Sequence, residues 1–317
     1  MVYHVSGLGL QPGGLTVPLS YVYLAFKAAE KGDRDARRFF ELSGRVGGGG
    51  GLPEAVIVFT SRDVILGNVR ARYEDRWFGT RTDSCPRAVA RYLSSLLSHL
   101  ELPRREWPEL YFVEVDHTDF EDCFFKAYPT FMALASHEVW VNMVGGSNQI
   151  NAALLSSGCF TAVPTRYYYV FQEGALLHPD QKMADAVRRV DLSRWCELPF
   201  FSLQIGGLMS RISRLLKGGV VNVAQLEGEL ERMGLGKHYI PKLVSSRLVR
   251  VEGSRVLRGW MLDYWDRLVR RIYEDVRGAA GVDVGRLNIA AWRRWAGARG
   301  VLWRVSLDDG RVEKCSP

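Results

Sequence analysis

Four short segments of this 317-residue chain carry the residue types that handle a small charged ligand. They are Ser6, Gly7, Leu8 and Gly9; Thr60, Ser61 and Arg62; Asp116, His117, Thr118 and Asp119; and Gly145, Gly146, Ser147, Asn148 and Gln149, with Asn142 just ahead of the last. Two adjacent glycines let a backbone approach a ligand closely. A helix opening directly after them presents unbonded N–H groups and the positive end of its dipole, and the dipole alone favours an anion by about 0.3–1 kcal/mol. Asn142, Ser147, Asn148 and Gln149 add neutral hydrogen-bonding groups. The plainer account of the same residues is a tight strand-to-helix turn capped by Ser147. His117 is open to two readings, an acid/base or metal role between its acidic neighbours and simple local hydrogen bonding.

These segments matter only if the chain brings them together. Five β-type runs, at residues 2–9, 55–61, 110–116, 138–144 and 167–172, alternate with helical spacing at 17–42, 86–99, 119–135 and 147–157. The second and fifth runs are almost continuously apolar or aromatic, as strands covered on both faces are. Pro86 suits the first position of a helix after the cap candidates Asp83-Ser84, Asp119 and Glu121 suit the positive end of a helix dipole, Ser147 suits a cap, and the 17–42 stretch breaks near Gly32-Asp33. The alternation predicts an α/β fold, a Rossmann-like parallel sheet with flanking helices and right-handed crossovers. In such a sheet the binding crevice lies at the carboxyl ends of the strands, where all four segments would meet. Gly47 to Gly51 reads as a surface loop rather than a phosphate cradle, because a strand follows it and not a helix.

Composition narrows the function further. Hydrophobic residues make up 47% and charged residues 24%, as in a folded domain rather than a disordered one. No apolar run approaches the ~20 residues of a membrane helix, and the start of the chain shows no secretory leader, so a cytoplasmic protein is expected. Cys85, Cys123, Cys159, Cys196 and Cys315 are scattered, which argues against a disulfide framework and a structural zinc site. There is no Walker motif, no G-x-S-x-G and no H-E-x-x-H, and no metal or cofactor is expected. Gly7 and Gly9 begin a dinucleotide fingerprint, but Pro12 stands at its third glycine and no acid closes the second strand, so a nicotinamide or flavin enzyme ranks last.

The charge is uneven. Residues 1–180 hold 17 Lys and Arg against 20 Asp and Glu, whereas residues 181–317 hold 25 against 15. The basic half predicts an anionic partner or a solvated basic surface. This half also changes in character, with helical stretches at 183–190 and 201–216. Asn222 then caps a helix over 223–233, Gly236 opens a turn, a second helix runs over 237–247, and a hairpin spans 248–258. Helix, turn, helix and hairpin form the winged helix-turn-helix pattern, near residues 205–258. Lys237, His238, Lys242, Arg247, Arg250, Arg255 and Arg258 are residue types that meet phosphates there, although Glu227, Glu229 and Glu231 make the preceding helix acidic. DNA binding and dimer scaffolding both remain open for such a module. Helices over 260–276 and 288–298 and a last hairpin at 301–314, turning at Asp308-Asp309-Gly310, complete the chain. The organisation expected is a ligand-binding domain over 1–180 and a helical part over 181–317.

The segment Asn142-Met143-Val144-Gly145-Gly146-Ser147-Asn148-Gln149, opening a helix after the fourth strand, resembles the CRISPR-associated Rossmann-fold (CARF) family. His4-Val5-Ser6-Gly7-Leu8-Gly9 is similar to that family's first-strand loop, and a following winged helix is a common arrangement in it. The resemblance implies a homodimer whose two CARF domains share a cleft for a cyclic oligoadenylate, the messenger of antiviral defence. It also implies that some members open the ring without metal, by attack of a ribose 2′-hydroxyl on the neighbouring phosphate. Those members often carry a lysine just after the glycine pair, where this chain has Ser147-Asn148-Gln149; Ser6, Arg62, His117 or Arg166 would have to act instead. The alternative is a winged-helix DNA-binding regulator responding to another small molecule.

Overall fold

The computed structural model describes residues 2–41, 51–171, 174–198 and 205–316. The first half alternates as expected: β1 (Val2–Gly7), α1 (Gly13–Glu30), α2 (Arg34–Glu41), β2 (Pro53–Thr60), α3 (Arg62–Leu66), α4 (Cys85–His99), β3 (Glu109–Glu114), α5 (Phe120–Ala133), β4 (Glu138–Asn142), α6 (Asn148–Thr161) and β5 (Arg166–Val170). Local chemistry sets the boundaries. Asp119 accepts the Glu121 N–H at 2.8 Å to start α5, Ser147 accepts the Ile150 N–H to start α6, and Pro86 sits in the first turn of α4.

The strands β3-β2-β1-β4-β5 lie side by side, all parallel. The chain winds outward from β1 through β2 and β3, then returns to β4 beside β1 and winds the other way. The order therefore reverses between β1 and β4, and there an open parallel sheet leaves its crevice. Alternate residues feed the two faces. Val56, Val58, Phe112, Trp140 and Tyr168 pack under α1, α2 and α4. Val5, Ile57, Tyr111, Val113 and Val141 pack under α5 and α6. This is a Rossmann-like α/β fold.

The second half runs α7 (Met183–Arg188), β6 (Trp195–Leu198), α8 (Ile205–Leu215), β7 (Val221–Asn222), α9 (Val223–Arg232), α10 (Ile240–Ser245), β8 (Val249–Glu252), β9 (Arg255–Arg258), α11 (Trp260–Ala280), α12 (Ile289–Ala298), β10 (Leu302–Val305) and β11 (Val312–Lys314). It does not follow the division expected after residue 180. β6 pairs antiparallel with β5, and β10 pairs antiparallel with β3 and carries β11, giving one eight-stranded sheet β11-β10-β3-β2-β1-β4-β5-β6. Leu268, Ile272, Val276, Trp292, Trp295 and Leu302 join the same apolar cluster as Val5 and Ile57. The sequence hairpin at 301–314 is present, but its apolar face fills the open edge of β3 rather than a domain of its own. Within residues 205–258, α8, α9 and α10 enclose a separate small core with Met209, Ile212, Leu226, Leu243 and Val256, closed by the sheet β7-β9-β8.

Three elements depart from the sequence reading. The helix expected over 237–247 is a 3-10 turn at Lys237–Tyr239 followed by the short α10, because Pro241 fixes its first turn. β6 and α3 carry no sequence signal strong enough to set them apart. Residues 47–50 of the glycine run, Gln172 and residues 201–204 lie outside the described residues.

Candidate functional site

The turn after β4 is pressed against the end of β1. A Cβ on Gly145 would stand 2.3 Å from the Gly7 carbonyl oxygen, and one on Gly146, whose φ is +87°, would stand 2.9 Å from the Gly7 Cα. Gly14, in the first turn of α1, comes as close from the other side, with a Cβ there 3.1 Å from the Gly145 Cα. Only hydrogen side chains permit three backbone segments to meet this tightly. The Asn142 amide pins them: its Nδ2 donates to Ser6 Oγ at 2.9 Å and to the Gly14 carbonyl at 2.8 Å, while its Oδ1 accepts the Val144 N–H at 2.9 Å.

This junction floors a cleft of about 260 Å³ lined by Gly9, Leu10, Gln11, Gly13, Gly14, Val144, Gly145, Gly146, Gly174 and Ala175. The start of α1 and the Gly-Gly turn supply backbone to it, and the N-terminal dipole of an 18-residue helix points the same way. Among the described residues its lining has no ionisable side chain. The nearest thiol is Cys85, whose Sγ lies 3.5 Å from the Gly9 carbonyl oxygen; burial pushes it up to about 12, so it stays a neutral thiol. The lining offers backbone and neutral side chains, with no nucleophile or proton carrier of its own.

The sequence-derived residues divide into three groups. Gly9, Gly145 and Gly146 line the cleft, and Gly7 packs against the Gly145-Gly146 turn. Ser6, Thr60 and Asn142 sit at the right edge but are fully buried and serve the frame: Ser6 donates to the Gly7 carbonyl, and Thr60 Oγ1 to the Leu8 carbonyl at 2.7 Å. Leu8 is buried too, with its N–H on the Phe59 carbonyl. Ser61 caps α3 in position only, and Arg62 is exposed with its guanidinium 3.8 Å from Glu114. His117, Thr118, Asn148 and Gln149 are exposed, and none of them lines the cleft. Ser147 Oγ donates to the His117 carbonyl at 2.7 Å, locking the loop after β3 onto the start of α6. The Thr118 hydroxyl and amide hold the Asp116 carboxyl below the usual carboxylate range. Arg166 is not at this edge. It opens β5 opposite Trp140 in the middle of the sheet, buried over the Trp140 and Phe39 rings and paired with Glu197 of β6.

Sequence reasoning missed a strap over the cleft. Residues 70–84 run from one rim to the other: the Arg72 N–H donates to the Leu10 carbonyl, and the Glu74 N–H to the Ala175 carbonyl at 2.8 Å. His178 fastens the far end. Its Nε2 accepts the Arg76 N–H at 3.2 Å, its Nδ1 faces the Pro179 carbonyl at 2.8 Å, and the Trp77 indole stacks on it at 4.7 Å. The Trp77 indole N–H in turn donates to the Gln181 carbonyl at 3.0 Å. A carbonyl accepts only, so Nδ1 carries the proton and Nε2 is the bare acceptor. The one sequence signal was the Trp77-Phe78 pair in an otherwise polar loop.

Burial lowers the His178 pKa below its ordinary value near 6.5, against the opposing pull of the Pro179 carbonyl, Asp75 and Asp180. Because the fold prefers the neutral ring, this contribution is complete above about pH 6.5, the unfolded value, and declines as pH falls toward the depressed folded value. Urea midpoints are therefore expected to drop on acidification below pH 6.5 by more in the native chain than in His178→Gln. Equal slopes for the two would show that the ring does not fasten the strap.

The protein is thus a Rossmann-like α/β protein with a small helical module built into its second half. No family model matches it. It belongs to the family of an uncharacterized protein of Archaeoglobus fulgidus, to which it is 39% identical over 282 residues, spanning 83% of this chain and 88% of that one. A solved structure, Enterococcus italicus Csm6 bound to cyclic hexa-2′-fluoro-hexa-dAMP, aligns with 73% of this chain at 14% identity and a TM-score of 0.39. The chain spans 48% of the length of that Csm6.

Proposed function

We propose that the protein is a CARF-type sensor that binds a cyclic oligoadenylate at the carboxyl edge of its sheet. The observation that carries the reading is the Gly7–Gly14–Gly145–Gly146 junction at the reversal point between β1 and β4, which floors a backbone-lined cleft. The 142–149 segment that resembles the CARF motif forms that junction. At about 260 Å³ the cleft is smaller than the ~300–1,000 Å³ of ordinary ligand sites. A ring of several nucleotides overfills it, and two copies related by a two-fold axis would complete it. The protein is accordingly a homodimer in this reading.

The absence of any ionisable side chain in the described lining favours sensing over ring opening. Calorimetric titration of the pure protein with cyclic tetra- and hexa-adenylate is the test, with micromolar or tighter binding of one ring expected. No heat from either at that concentration would reject the sensor. Incubation of the bound ring with chelator, followed by chromatography for linear products, separates sensing from cleavage.

A second reading, a ligand-responsive DNA-binding regulator, has its own observation. Lys237, His238, Lys242, Arg247, Arg250 and Arg255 are all exposed and, among the described residues, none is in an ion pair. Arg258, by contrast, is engaged by Asp263 and Asp266. The pairing of β7 with β9 and of β9 with β8, after α8 and around α9 and α10, supports the winged-helix reading of residues 205–258. Duplex binding that weakens with salt, and further on replacing Lys242 and Arg247 by alanine, is what this reading requires.

A further inference from the structure

A second concavity lies at the other end of α6. It opens between the ends of α5 and α6 on one side and α8 and α11 on the other, with a volume of about 1120 Å³. That exceeds the ~300–1,000 Å³ of small-molecule sites and has the proportions of a groove. Its floor is apolar and aromatic, from Tyr128, Met132, Phe160 and Val269, and Tyr273, 39% exposed, stands at its mouth.

The charges around it are one-sided. Arg214 and Lys217, at the end of α8 and just beyond it, are exposed, as are Arg267 and Arg270 on α11; none of the four is in an ion pair among the described residues. The two carboxylates that line the groove are already occupied. Arg258 lies 2.7 Å from Asp263 and also holds Asp266, and Ser213 donates to Asp266 as well. Four unopposed cations above a floor of rings form a surface for a flexible polyanion that carries flat apolar groups.

We propose that this groove binds a single-stranded nucleic acid, phosphates on the Arg214, Lys217, Arg267 and Arg270 rim and bases against Tyr273 and the floor. A duplex keeps its base faces stacked inside and could use the rim alone. An acidic peptide could also use the rim but has no bases for the floor. The proposal goes beyond the reading of the strand-end cleft and does not depend on it, since the two concavities share no lining residue.

The experiment is fluorescence anisotropy of the full chain with labelled 12-nucleotide RNA and DNA strands, the matching duplexes, and a polyglutamate competitor. A single strand should bind in preference to its duplex, and the RNA and DNA arms decide which backbone fits. Joint replacement Arg267→Ala and Arg270→Ala should weaken strand binding at least tenfold. It should also reduce the salt slope by about 1.4, at roughly 0.7 per phosphate contact on a single strand. Tyr273→Ala should weaken it by about 5- to 150-fold, the range of one stacked base, with Tyr273→Phe restoring it. Lys217→Ala, on a different element, guards against a local fault in α11, and circular dichroism checks each variant's fold. Four results would overturn the proposal: no strand binding; binding untouched by the groove variants but lost with Arg250→Ala and Arg255→Ala; duplex binding as tight as strand binding; or polyglutamate displacing the strand at equal charge.

Discussion

Gly145→Ala is expected to lower stability by about 3 kcal/mol or more, although it adds a single methyl group. The new carbon would arrive 2.3 Å from the Gly7 carbonyl oxygen and 3.4 Å from that of Gly14. Those oxygens belong to backbone held by a parallel ladder and by a helix start, so neither yields as a side-chain tip would. β1 would have to separate from the turn after β4, loosening the Asn142 bonds to Ser6 and Gly14. Gly9→Ala is the control. A Cβ there meets nothing within 4 Å, so a change within about 0.5 kcal/mol is expected. Urea unfolding of both variants measures the difference. A Gly145→Ala protein within 1 kcal/mol of the native chain would show that the junction is looser than described, and the cleft with it.

Trp292→Ala should lower stability by about 3–5 kcal/mol while unfolding remains a single transition. Trp292 is buried between α12, α5 and β3. Its indole N–H donates to Thr130 Oγ1 at 3.0 Å, and its ring meets Tyr111 edge-on at 6.3 Å. Removing it leaves a large cavity beneath the N-terminal sheet and takes one bond from the Thr130 hydroxyl, which keeps its own to the Lys126 carbonyl, although residue 292 lies far beyond the apparent end of that domain in the sequence. A separate early transition confined to the C-terminal residues would contradict the shared core. Differential scanning calorimetry, read alongside near-ultraviolet circular dichroism, distinguishes the two.

The parallel core was legible because its signals are local. The apolar run at 55–61, the acids Asp119 and Glu121 at a helix start, the cap Ser147 and the glycine pair at 145–146 each state their own element, and right-handed crossovers then place the strand ends together. The site was legible at its glycines and less so at its polar residues. Sequence spacing puts Ser6, Thr60 and Asn142 at the correct edge, but it does not reveal that their side chains are consumed in holding the backbone. Arg166 illustrates the same limit in reverse: a charged residue at the start of an aromatic run looks available, yet Glu197 on a strand without a sequence signature pairs with it. The strap and the return of β10 to β3 depend on contacts between residues more than a hundred positions apart, and no periodicity encodes those.

Because β10 and β11 finish a sheet begun by β1, the helical module at 205–258 is an insertion carried by one α/β body, anchored through the sheet before it and through α11 after it. Cutting the gene at residue 180 would therefore produce two damaged pieces. The first would bare the outer hydrogen-bonding edge of β3. The second would strand Trp292 and Trp295 in water with no partner layer, and both products would tend to aggregate. Excising the insertion and rejoining its ends is the division that leaves every strand of the eight in place.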